Sequence, residues 1–123
     1  MKVLRRYVET AKVLILDFDG TLVDSNHLKL QAFETCLKDH AAHMPAIMAY
    51  CAQYSYHRKI KFKHIFERIL HLHYTEEIET ELLKRYDAET TEQVIAAKES
   101  SGATRFMRLF AGHKQMAVVS ATP

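Results

Sequence analysis

Apolar positions along this chain follow two different periods. Val13-Leu14-Ile15-Leu16 is an unbroken apolar run, closed at once by Asp17-Phe18-Asp19-Gly20-Thr21. So short a run, aliphatic and bounded by a turn signal, predicts a fully buried strand. The residues up to Lys12 are expected to lead into it as a short helix. Beyond it the period becomes helical. Asp24 or Ser25 can cap a helix running to about Asp39, with Leu28, Ala32, Phe33, Cys36 and Leu37 on one face. Pro45 suits the first turn of a second helix, Ala46 to Gln53. Ile65, Phe66, Ile69 and Leu72 mark a third, from about Lys59 to His73. Thr75 caps a fourth with a stripe of Ile78, Leu82, Leu83 and Tyr86, and Val94, Ile95 and Ala97 suggest a further short helix ending near Ser100-Ser101-Gly102. Phe106, Leu109 and Phe110 form a last helix face, with Gly112 as its stop. Met116-Ala117-Val118-Val119 then reads as a second buried strand, running into Ser120-Ala121-Thr122-Pro123.

This order predicts an α/β fold in which two core strands flank a long helical block. At 123 residues the chain is at most one domain by size, and 48% hydrophobic with 26% charged residues is ordinary for a globular protein. A net charge of +2 is too mild to call for nucleic acid or a membrane as partner. No signal-peptide core or membrane-length apolar run is present, and two cysteines fit a reduced, cytoplasmic setting better than a disulfide framework.

The chemistry concentrates after the first strand. In open parallel sheets, sites form beyond the carboxyl ends of strands. Asp17 and Asp19 lie there, and on an extended chain residues two apart point the same way. Carboxylates so close need a shared proton or a cation. Mg²⁺ suits them, because it takes one or two carboxylates and completes its shell with water and phosphate oxygens. One acid could then attack while the other transfers a proton. Gly20 supplies the permissive backbone for a sharp turn. Paired aspartates also end strands or cap helices without any catalytic role. A calcium loop counted from Asp17 fails, because its sixth and twelfth positions hold Leu22 and Leu28.

Asp17-Phe18-Asp19-Gly20-Thr21-Leu22-Val23-Asp24-Ser25 resembles the first motif of the haloacid dehalogenase superfamily, in the form carried by its phosphatases and phosphomutases. The resemblance implies a partial Rossmann-like parallel core (1–25 and 100–123) with an inserted α-helical cap (26–99). It implies Asp17 as the nucleophile that forms an aspartyl-phosphate and Asp19 as general acid/base. Mg²⁺ would be held by the Asp17 carboxylate and the Asp19 main-chain carbonyl, with Gly20 and Thr21 beside the substrate. Ser120 would bond the transferred phosphoryl group as the second motif. The second aspartate favours phosphoryl transfer over dehalogenation. The expected substrate is a small phosphorylated metabolite. The third motif's cation and the fourth motif's acids have no counterpart before Pro123, so the sequence reads as truncated. The alternative is therefore a catalytically incomplete chain with a binding or regulatory role.

Two further clusters compete with plain packing. His57-Arg58-Lys59-Ile60-Lys61-Phe62-Lys63-His64 is the densest basic run. Arg58 is its candidate phosphate-binding member, against a solvated helix face with lysine stems packed on apolar neighbours. Cys36, His40, His43 and Cys51 invite zinc, but their spacing is not that of a finger and Pro45 intervenes.

Overall fold

The computed structural model describes residues 2–120, and the Ala121-Thr122-Pro123 end of the second-motif reading lies outside them. The protein is mixed α/β and mostly helical. In chain order it forms helix α1 (Lys2–Thr10), strand β1 (Val13–Asp17), helices α2 (Asn26–Cys36), α3 (Met44–Gln53), α4 (Arg58–His64), α5 (Glu76–Ile95) and α6 (Ala103–Phe110), and strand β2 (Gln115–Val119). Two compact units result: one is the helical segment His27–Ala96, the other joins the chain up to Asn26 with that from Ala97 onward. No helix among the described residues is long and apolar enough to cross a membrane.

In the second of these units β1 and β2 pair in parallel, Val13 on Gln115 through to Asp17 on Val119. The expected full burial of both strands is not found. Leu14 is buried, but Val13 and Ile15 are 47% and 70% exposed, and Val118 and Val119 are also exposed. Among the described residues the sheet has two strands: the face bearing Val13, Ile15 and Val119 lacks a covering layer, and the opposite face covers Leu14 but not Val118. The far end of the sheet is fastened by Lys114. Its Nζ donates to the carbonyls of Glu9 (2.8 Å) and Ala11 (2.6 Å), where α1 ends, and lies over the Phe110 ring.

The helical unit has its own core. Ala32, Phe33, Cys36, Leu37, Ile47, Cys51, Phe62, Ile65, Phe66, Leu70, Leu82 and Tyr86 pack together. At its centre Phe33 of α2, Phe62 of α4 and Tyr86 of α5 meet at centroid distances of 4.8 to 5.8 Å, tilted or edge-on. Such ring pairs add roughly 0.5–1.5 kcal/mol each beyond the area they bury.

Several helix boundaries depart from the periodicity. α2 stops at Cys36, short of Asp39, and a 3₁₀ segment (Lys38–His43) follows, kinked by non-helical angles at His40 (φ −108°, ψ 37°). α4 passes into a π turn (Ile65–Ile69), and the helix closes at Leu70 before His71 takes φ +54°. Leu72 thus falls beyond the helix and is exposed. The two helices expected after Thr75 are one 20-residue helix. Its apolar stripe thins after Tyr86, but no Gly or Pro interrupts it, and Thr80, Thr90 and Thr91 donate their hydroxyls to carbonyls one turn back. Gly102, at φ +84° before α6, holds the left-handed position that Gly112 does not.

Candidate functional site

Asp17 closes β1, and its Oδ1 accepts the Phe18 N–H at 2.9 Å. The chain then folds sharply. The Phe18 carbonyl faces the N–H groups of Thr21, Leu22 and Val23 at 2.9 to 3.3 Å, and the Gly20 N–H donates to the Val23 carbonyl at 2.8 Å. Gly20 sits at φ +70°, and an added Cβ would run into the Asn26 side chain. Asp19 is therefore no longer on the strand, as two-apart alternation would have it, but in a single parallel bridge with Val23. Val23 also bridges Glu99, and Asp24 N–H to Lys98 C=O (3.0 Å) and Ser100 N–H to Leu22 C=O (2.9 Å) pin the loop from its other side. Thr104 Oγ1 in turn donates to the Glu99 carboxylate.

Because Asp17 is in register with Val119, Ser120 leaves the sheet at the same end as Asp17. Its Oγ lies 3.5 Å from Asp19 Oδ2, at the outer limit of a hydrogen bond. The other carboxylate oxygen, Oδ1, accepts from Ser25 Oγ at 2.7 Å, and Ser25 is fully buried. Asp17, Asp19, Gly20, Thr21 and Ser120 thus gather at one end of the two-stranded sheet, with Gly20, Thr21 and Ser120 exposed. Beyond its place at the end of the motif, Ser25 reads in the sequence as a helix cap. Its link to Asp19 depends on how the loop folds back, which no periodicity encodes.

The donors here fit Mg²⁺ in kind. They are hard carboxylate oxygens, and among the described residues no three His, Cys, Asp or Glu side chains converge to hold a metal. An ion that keeps several waters and takes substrate oxygens needs no such protein cage.

The remaining candidates belong to the helical unit. Arg58 is engaged by Asp87, with Nε to Oδ1 at 3.0 Å and Nη2 to Oδ2 at 3.3 Å, and its guanidinium lies over the Tyr86 ring. Lys59 pairs with Glu79 at 2.7 Å, which raises the lysine pKa through that hydrogen bond. Lys61 donates to the Cys51 carbonyl at 2.8 Å above the Phe33 ring, and burial pushes its ammonium pKa down. Cys36 and Cys51 are free thiols in the core. Burial raises both, Cys51 to about 11, so they stay protonated and pack as small apolar groups. The His40 ring lies edge-on to Phe66.

Comparisons with protein-family models, with curated proteins and with solved structures returned no match.

Proposed function

We propose that the chain carries a partial haloacid-dehalogenase-like core with a helical cap, and is a Mg²⁺-dependent phosphohydrolase of a small phosphorylated metabolite. One observation carries this reading. The nucleophile candidate ends a strand whose parallel partner leads directly into Ser120, and the Asp19 carboxylate lies between that serine and Ser25. A site past the carboxyl ends of adjacent parallel strands is where α/β sheets place their chemistry.

In the proposed reaction a carboxylate oxygen of Asp17 attacks phosphorus in line. The bond to the leaving oxygen breaks, and Asp19 gives that oxygen its proton. Water then attacks the phosphorus of the aspartyl-phosphate and passes a proton to Asp19, freeing phosphate and restoring Asp17. Ser120 Oγ and the main chain at Gly20 and Thr21 would bond the phosphoryl oxygens. Mg²⁺, on the Asp17 carboxylate and the Asp19 carbonyl, would supply charge neutralisation. Aryl-phosphate hydrolysis that needs Mg²⁺, is inhibited by vanadate and falls at least about a thousandfold in Asp17→Asn is the expected result. A folded wild-type chain without hydrolysis sinks the proposal.

A second reading, a catalytically incomplete chain that binds or regulates through its helical unit, draws on Arg58. Its guanidinium is already matched by Asp87, and the cation offered for a substrate phosphate is thereby engaged.

A further inference from the structure

Ser25 and Thr90 are the buried polar residues among those described. Thr90 satisfies its hydroxyl on the carbonyl of Tyr86, within its own helix. Ser25 does not bond locally. It reaches back six residues to Asp19 Oδ1 at 2.7 Å, a well-formed O–H···O hydrogen bond. Its main chain is fixed as well. The Ser25 N–H donates to the Val23 carbonyl at 3.0 Å, the adjacent Asp24 N–H to that of Lys98, and Val23 is bridged on both sides. A hydroxyl with no solvent exposure on so constrained a backbone is a stiff anchor. An aspartate in a loop has three staggered χ1 wells open to it, and an anchor of this kind selects one.

We propose that Ser25 is a positioning residue: its buried hydroxyl fixes the Asp19 side chain so that Oδ1 is held and Oδ2 is presented toward Ser120. The geometric part stands on the hydrogen bonds alone. The catalytic consequence rests on the reading of Asp19 as the proton-transferring group. Proton transfer requires the acid within hydrogen-bond reach of the leaving oxygen, and a misplacement of about 1 Å can cost on the order of a hundredfold.

The test uses the full chain and begins with a measurement that needs no activity. Three-bond couplings from the Asp19 Cγ to its backbone nitrogen and carbonyl report the χ1 population. One rotamer is expected in the wild type, averaging in Ser25→Ala, and a return toward one rotamer in Ser25→Thr, which keeps the hydroxyl. In the wild type the Ser25 hydroxyl proton is expected to be visible, with slowed solvent exchange. Unchanged Asp19 couplings in a folded Ser25→Ala, or free exchange of the wild-type hydroxyl, overturns the proposal. The exchange measurement decides by itself where the variants fail to fold. In an active chain, Ser25→Ala is expected to lower kcat about 10- to 100-fold with KM nearly unchanged. If couplings respond but the wild type hydrolyses nothing, the phosphohydrolase reading fails while the anchoring role of Ser25 stands.

Discussion

Gly20 shows how one residue shapes the loop between Asp19 and Ser25. At φ +70° an L-side chain is strained, and a Cβ would also meet Asn26, whose exposed amide end can swing aside. The backbone cost therefore dominates. Gly20→Ala is expected to destabilise the chain by about 1–2 kcal/mol, read as a lower urea midpoint. Tyr86 gives a second expectation at this scale. Burial pushes its phenol up to about 12 against the opposing charge of Arg58, and its hydroxyl donates to the Lys29 carbonyl. Tyrosine in the unfolded chain titrates near 10. The unfolded state thus loses its proton first, and the stability linked to Tyr86 is intact below pH 10 and disappears as pH rises toward 12. Urea midpoints measured across that window should fall more steeply for the wild type than for Tyr86→Phe.

Among the elements, α5 reads in the sequence as two helices because its apolar stripe fades, although its start is legible. Thr75 caps it as the sequence indicated, accepting the Ile78 N–H at 3.3 Å, with Glu76, Glu77 and Glu79 in the first turn favourable to the helix dipole. Thr75→Ala is expected to cost about 1 kcal/mol, measured by thermal or urea unfolding of the helical unit's far-UV signal. The same contrast runs through the chain. Local signals survived: the cap at Thr75, Pro45 in the first turn of α3, the apolar runs that became β1 and β2, and the packing positions Phe33, Ile65 and Leu82. Features set by tertiary context did not. The π turn after His64, the left-handed His71 and the exposure of Ile15 follow from what neighbouring chain does or does not cover. At the candidate site Asp17 and Asp19 stood out by residue type and spacing. The buried bond from Ser25 could not be seen, because Asp24-Ser25 before an apolar period reads equally well as a cap.

At the scale of the molecule the two units differ in how well they are filled. The helical unit closes around an aromatic centre, whereas among the described residues the sheet-bearing unit buries only Leu14, Leu22 and Ala103 of its apolar side chains. Amide hydrogen exchange should accordingly show the inner turns of α2 and α5 protected through larger openings than β1 and β2. Equal protection of both sets would contradict this division. Lys114 carries the same asymmetry into the order of assembly. The carbonyls that it clasps lie 103 and 105 residues earlier in the chain. On a ribosome, the first strand emerges long before its partner and that ammonium. The helical segment, whose neighbours are mostly near in sequence, can collapse meanwhile. Until Gln115–Val119 has been made, the Val13–Leu16 stretch travels as a sticky, single segment without its partner strand, open to whatever binds nascent apolar chain.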